Sequence, residues 1–202
     1  MTGNTKQKIA ETALNLFSQK GYLGTSMNDI ARELGITKAA LYKHYESKSK
    51  ILESITKRMR DADFERAEEY EMPQEEPGKC AEAYMHTPTD KIRAYSIAQF
   101  RHWTDEGFAA SFRKMLTLEQ YRDEKMAELY HNSLATGPLL YMAEIFKEIA
   151  EDKSDAMQLA LDFYGPMFLL YSVYDAAPNK QDVIKMLEKH IDLFTEKIKR
   201  RG

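Results

Sequence analysis

Between Gly21 and Ser47 the sequence signals a helix start or stop five times within 27 residues, and no other feature restricts the fold as tightly. Residues 5–20 place Ile9, Ala13, Leu16 and Phe17 on one helical face, with Asn4 or Thr5 as the expected cap. Gly21 then supplies the left-handed residue that ends the helix. Ser26, with Asp29 three residues on, approximates a capping box for a second helix. Its buried stripe is Ile30, Ala31 and Leu34, and its stop is Gly35. Thr37 caps a third, short helix through Leu41, Tyr42 and Tyr45. Ser47 caps a fourth, which turns Ile51, Leu52 and Ile55 inward and runs to about Tyr70. Helices this short are marginal alone and must be held by packing. Two of them joined through Gly35-Ile36-Thr37 form a helix-turn-helix.

Elsewhere breakers are few, with 9 Gly and 6 Pro in 202 residues, so the chain is expected to be all-α. Met72 to Gly78 (MPQEEPG) interrupts the fourth helix's pattern and reads as a link. Thr87-Pro88 looks like an N-cap followed by Pro at the first helical position, opening a helix that reaches about Trp103. Gly107 and Gly137-Pro138 mark further breaks, and Lys153-Ser154-Asp155 caps another start. Ala177-Pro178-Asn179 separates two final helices, roughly 155–175 and 180–200. The single cysteine, Cys80, excludes an intrachain disulfide and a multi-cysteine zinc site. No signal-peptide pattern opens the chain. The most apolar window, Tyr164 to Tyr174, is 11 residues long, whereas a membrane span needs roughly 20. A cytoplasmic protein with no membrane partner and no cofactor is expected.

The net charge of −3 hides an uneven distribution. Residues 1–60 carry 11 Lys/Arg against 5 Asp/Glu, a balance of +6, and the remainder balances at −9. A basic head on an acidic body suits a DNA-binding module joined to a second function. As a helix, Thr37 to Tyr45 (TKAALYKHY) turns Leu41 and Tyr45 to the head's core and projects Lys38, Ala39, Tyr42 and Lys43 outward, with His44 near the end. Such a surface fits a phosphate-lined groove: Ala39 or Ala40 can meet a thymine methyl, and Lys38 or Lys43 a guanine edge. Lys48 offers a phosphate contact, as do the Thr25 and Ser26 hydroxyls with the amides that open the second helix.

From Ile9 to Ile55 the chain resembles the N-terminal domain of the TetR family of bacterial regulators. The matching pieces are Ala13-Leu14-Asn15-Leu16-Phe17, Lys20-Gly21-Tyr22, Thr25-Ser26-Met27, Ile30-Ala31, Leu34-Gly35-Ile36-Thr37-Lys38, Ala40-Leu41-Tyr42-Lys43-His44-Tyr45, Ser47-Lys48 and Ile51-Leu52. Position 40 departs from the family's frequent hydroxyl or glycine, which removes a polar base contact there. The resemblance implies a three-helix helix-turn-helix head, residues 1–60, joined by a long helix to a helical effector-binding and dimerisation domain, residues 61–202. It implies a homodimer whose two heads read neighbouring major grooves of a double-stranded operator. It also implies a sequence-specific transcriptional repressor, not an enzyme, released by a small-molecule effector.

In the family the last two helices pair with those of the partner. Here Leu159, Phe163, Met167, Leu170 and Tyr174 form one stripe, and Ile184, Leu187, Ile191, Phe194 and Ile198 another. These stripes are the expected dimer interface, although a monomer core would require the same pattern. For the effector, Phe100, Trp103, Tyr121, Tyr141, Met142 and Met167 are the preferred lining, which favours an aromatic or otherwise largely apolar ligand. Two rival readings draw on other features of the sequence. Glu128 and His131 form a Glu-x-x-His pair, as in a helical metal-binding enzyme, but no second pair accompanies it. The other rival is an interaction protein that keeps the head only as a scaffold.

Overall fold

A computed structural model describes residues 2–74, 83–84, 86–148, 150 and 152–199. Cys80 and the last four residues of the expected link, 75–78, lie outside them. The described residues form ten α-helices and no strand: α1 Thr2–Lys20, α2 Met27–Glu33, α3 Lys38–Tyr42, α4 Lys48–Glu69, α5 Thr89–Asp105, α6 Gly107–Glu119, α7 Glu124–Leu134, α8 Thr136–Phe146, α9 Lys153–Ala176 and α10 Lys180–Lys199. They divide into two compact units, one comprising the residues up to Ala62 together with Glu106–Tyr130, the other Asp63–Asp105 and the residues from His131 on. No helix is long and apolar enough to cross a membrane.

The first unit is built on α1, whose buried face runs through Ile9, Ala13, Leu14, Leu16 and Phe17. Against it pack α2 and α6, the latter contributing Phe112, Met115 and Leu116. Thr5 lies inside α1, because the helix begins three residues before the expected cap. Gly21 closes α1 with φ 81° and a hydrogen bond from its N–H to the Phe17 carbonyl. Gly35 closes α2 at φ 66°, with Gly35 N–H bonded to the Arg32 carbonyl and Ile36 N–H to that of Ala31. That pair of bonds is a Schellman motif and makes the tight corner of the helix-turn-helix.

In the second unit α9 packs on α8, α10 and α5. Phe163 lies 6.1 Å from the Phe146 ring and 4.9 Å from that of Phe194, while Phe100 stacks on Tyr171 at 5.1 Å. Pro166 sits inside α9 and has no N–H for the ladder. Close by, the Phe163 carbonyl accepts from His190 Nε2 of α10 at 2.8 Å. Asp152, accepting from the Asp155 N–H at 2.8 Å, caps α9 one residue before the expected start. Thr87 does not cap α5: its hydroxyl turns back to the Ala83 carbonyl, and the Pro88 carbonyl accepts from Lys91 and Ile92. Gly137 and Pro138 fall in the first turn of α8 rather than between helices, a place where proline's missing N–H costs nothing.

α4 ends at Glu69, one residue from the expected Tyr70. It stops before the proline-rich stretch through a second Schellman motif, with Met72 N–H on the Ala67 carbonyl and Glu71 N–H on that of Glu68. The left-handed position is filled by Glu71 at φ 52°, where a Cβ is strained, while Met72 is buried beneath the turn. Replacing Glu71 by Gly is expected to raise stability by about 1 kcal/mol, read from urea unfolding of the full chain, despite loss of the exposed Glu71–Lys91 ion pair.

Candidate nucleic-acid interface

The reading element rests on two side-chain caps. Ser26 accepts from the Asp29 N–H at 3.2 Å, and Asp29 Oδ2 accepts in return from the Ser26 N–H at 3.0 Å and its hydroxyl at 2.6 Å. Thr37 Oγ1 accepts from the Ala40 N–H at 3.1 Å and opens α3. Leu41 is fully buried under α3. Tyr45 follows it inward, its hydroxyl donating to Ser54 Oγ at 2.9 Å. With these two anchors down, Thr37, Lys38, Ala39, Tyr42 and Lys43 all face outward, Tyr42 being 43% exposed. Lys38 Nζ stands 5.8 Å from the Tyr42 ring centre, so the cation and the ring form one continuous surface. Ala40 and His44 are half-buried at its edge.

Three expected phosphate contacts take different positions. Thr25 is buried, and its hydroxyl donates to the Gly21 carbonyl at 2.9 Å, so it serves the turn before α2. Lys48 Nζ donates to the carbonyls of Tyr22 at 2.6 Å and Thr25 at 2.7 Å and lies 4.3 Å from the Tyr22 ring centre. An ammonium has three donors, and two of these are committed within the head. At the start of α2 the Asp29 carboxylate occupies the place foreseen for a phosphate, since it already accepts from Ser26. No sequence pattern announces these backbone partners, which come from the fold of residues 21–25.

The residues expected to line an effector pocket separate. Phe100, Trp103 and Met167 are buried in the second unit, and Met142 is half-buried. Tyr141 is exposed, its hydroxyl 3.5 Å from that of Tyr84. Tyr121 must be withdrawn as a lining residue: it is 89% exposed, on the turn after α6 within the first unit. A polar network absent from the expectation lies in the second unit. There Gln99 Nε2 donates to Asp63 Oδ1 at 2.9 Å, and Arg66 Nη1 to Gln99 Oε1 at 3.0 Å. Burial pushes the Asp63 carboxyl up, and burial beside Asp63 pushes the Tyr95 hydroxyl up to about 12.

The expected dimer stripe is corrected as well. Leu159, Phe163, Leu170, Tyr174, Ile184, Leu187, Ile191 and Phe194 are all buried within the single chain, where α9 and α10 face one another and α5. The same two helices leave a second apolar set exposed: Leu161, Phe168, Leu169 and Val173 on α9, Met186 and Leu193 on α10. Its signal was present in the sequence, because α9 is apolar around most of its circumference and one stripe cannot account for that. An open groove of about 410 Å³ runs along this face, lined by Leu161, Pro166, His190, Leu193, Phe194 and the Asp162–Lys197 ion pair. Glu128 and His131 of the rival metal reading lie exposed on α7. Among the described residues, no group of three or more His, Cys, Asp or Glu is placed to hold a metal ion.

Capped short helices that present a basic, exposed third helix define an all-α protein of the helix-turn-helix class. Residues 9–55 match the family model described as bacterial regulatory proteins, tetR family. The biofilm operon icaADBC HTH-type negative transcriptional regulator IcaR of Staphylococcus aureus is 50% identical over 52 residues, 26% of this chain and 28% of that protein. Its namesake in Staphylococcus epidermidis is 50% identical over 46 residues, 23% of this chain and 25% of that protein. The chain thus matches these curated relatives over about a quarter of their length. Two solved structures share the fold at low identity. The SmeT–triclosan complex superposes with a TM-score of 0.65 at 18% identity, over 95% of this chain and 90% of that one. A TetR-family transcriptional regulator from Bordetella parapertussis 12822 gives 0.64 at 20% identity, over 95% and 94%. Residues 9–55 are thus similar to the tetR family's N-terminal domain, and the fold of these two solved structures extends along nearly the whole chain.

Hydrogen bonds from Ser26, side chain first and then backbone N–H, hold the Asp29 carboxyl below its ordinary range. A depressed folded-state value means that the box contributes fully above the ordinary carboxylate range and is lost as pH falls through the depressed value. Loss of the helix cap in Ser26→Ala is expected to cost about 1 kcal/mol near neutral pH. The gap from the parent chain in thermal midpoint should narrow below the ordinary aspartate range and not vanish, because the bond from the Asp29 N–H to the Ser26 oxygen does not titrate.

Proposed function

We propose that this chain is a sequence-specific DNA-binding transcriptional repressor that acts as a homodimer in the cytoplasm and leaves its operator when a small, largely apolar or aromatic effector binds the second unit. The observation that carries it is the outward face of α3, where Lys38, Ala39, Tyr42 and Lys43 stand together on a capped, core-anchored helix. A basic first 60 residues on an acidic remainder supports the same reading, as does the similarity of the head to negative transcriptional regulators. That a neighbour in fold was solved with triclosan supports an aromatic effector class. Phe100, Trp103, Met142 and Met167 remain the proposed apolar surroundings, with Tyr141 at their exposed edge. α4, which carries the chain from the first unit into the second, is the proposed lever, with coupling of ~1–3 kcal/mol between effector and operator.

Thr37, Lys38, Ala39, Tyr42 and Lys43 are the proposed DNA-facing residues, with Ala40 and His44 at the margin. Lysines here neutralise phosphates or reach guanine edges, and Ala39 allows the close approach that a thymine methyl needs. Lys43→Ala is expected to cost ~1–3 kcal/mol concentrated at one operator position. Gel shifts on the promoter beside the chain's own gene and on random duplex check this. Equal losses on both would make Lys43 a backbone contact, and a parent chain without promoter preference would overturn the regulator itself.

For the dimer, the exposed set on α9 and α10 replaces the buried one. Leu169, 63% exposed, and Leu193, 56% exposed, are the most solvent-facing apolar side chains on their helices. Paired with a second copy, this face loses apolar surface from water at about 25 cal/mol per Å². Leu193→Glu and Leu169→Glu should give monomers by sedimentation with unchanged helical content. Leu187→Ala, in the core, should instead lower folding stability by about 2–5 kcal/mol. A Leu193→Glu chain that stays dimeric would move the interface elsewhere.

A further inference from the structure

From Ile36 to Tyr45 the chain holds no Arg, Asn, Gln, Asp or Glu. Those are the side chains, lysine apart, whose donors and acceptors fit a guanine, adenine or cytosine edge in the major groove. Asn28 and Arg32 sit on α2, the helix that in this arrangement crosses the backbone, and Arg32 is paired with Asp29 at 2.6 Å. On α3 itself the polar side chains have other tasks. Thr37 gives its oxygen to the Ala40 amide, and Lys38 Nζ stands over the Tyr42 ring, 5.8 Å from its centre. His44 is half-buried. Lys43 remains, a rotatable ammonium without the rigid fork of a guanidinium.

What α3 offers in fixed positions is hydrocarbon. Ala39 and Tyr42 are both exposed and stand three residues apart in the helix. Side chains at that spacing are neighbours on one face, with Cβ atoms about 5–6 Å apart. Carbon atoms in contact lie about 3.5–4.0 Å from one another, so one methyl carbon set between the two walls touches both. The Ala39 wall cannot turn away, because the Thr37 cap and the buried Leu41 hold the helix. The Tyr42 wall is steadied by the Lys38 cation over its ring. In the major groove it is thymine that displays a methyl group, on C5 of the base.

Resting on the DNA-reading proposal above, we infer that Ala39 and Tyr42 clamp the 5-methyl group of one thymine in each operator half-site. The methyl supplies a discrimination that the lysines of α3 do not. Tyr42 is then a specificity-determining residue, its ring forming one wall of the clamp. Lys38 serves the clamp by holding that ring, and Lys43 acts beside it.

The test uses the full chain on the promoter duplex, with each thymine of the protected region replaced in turn by uracil, which removes the methyl and keeps the pairing. Parent affinity should fall about fourfold per altered half-site at one such thymine, the worth of one buried methyl-sized group. The same replacement in random duplex should change nothing. At that position 5-methylcytosine opposite guanine should bind more tightly than cytosine, which separates the methyl from the rest of the base. Ala39→Ser and Tyr42→Ala should each bring the thymine-to-uracil affinity ratio close to one. The ratio is taken within each protein, at salt low enough for all of them to bind, so a change in folded fraction cancels. Equal binding of thymine and uracil duplexes by the parent overturns the inference and leaves the DNA reading standing. A ratio that persists in either variant places the methyl's effect elsewhere, in the shape of the DNA or at another side chain, and overturns it as well. A parent chain without preference for the promoter over random duplex removes the DNA reading and the clamp together.

Discussion

Lys38–Tyr42 is five residues long, less than a turn and a half, and a helix of that length has no stability of its own in water. Whatever α3 offers to a groove exists because Leu41 is buried beneath it and the Thr37 oxygen ties down the Ala40 amide. Those two contacts convert a weak local preference into a fixed surface. The rest of the first unit serves that anchoring. α1 supplies the floor, Gly35 supplies the corner, and Tyr45 pins the exit of α3 to Ser54 of α4. The ion pair of Arg58 with Glu11, with the guanidinium 3.9 Å over the Phe108 ring, closes the far side with α6.

The second unit solves a different problem with the same materials. α9 must satisfy a core on one side and remain apolar on another, which explains why Leu159, Phe163 and Leu170 face inward while Leu161, Phe168 and Leu169 face water. Two apolar faces on one helix leave exposed hydrocarbon outside the chain's own interior, and this is the face proposed above for a second copy. The half-buried polar network of Asp63, Arg66 and Gln99 adds directional contacts that an all-hydrocarbon packing lacks.

Much of this was legible in the sequence, and the parts that were not share a cause. The caps and stops from Gly21 to Thr37 read correctly: Ser26 with Asp29, Thr37, Gly21 and Gly35 each bond within a few residues. The outward set of α3 was legible for the same reason, since periodicity around Leu41 decides it. Lys48 and Thr25 read as surface contacts because their true partners, the carbonyls of Tyr22, Thr25 and Gly21, carry no side-chain signature. Tyr121 read as a pocket residue because aromatic character does not reveal which side of a turn faces solvent. Leu187 and Leu193 look alike in sequence, and only the packing of α10 on α5 and α9 separates interior from exterior.

The hydrogen bond from His190 to the Phe163 carbonyl, beside Pro166, has a mechanical meaning. Proline leaves a helix locally short of one backbone bond, and the neighbouring rungs are where a foreign donor can enter. A donor entering there acts as a dowel through two rods. It sets the lengthwise register of α10 on α9, because a slide of even one residue rise, about 1.5 Å, would pull the imidazole off its acceptor. With the Asp162–Lys197 ion pair further along, the two final helices are tied at two levels, which opposes one gliding past the other.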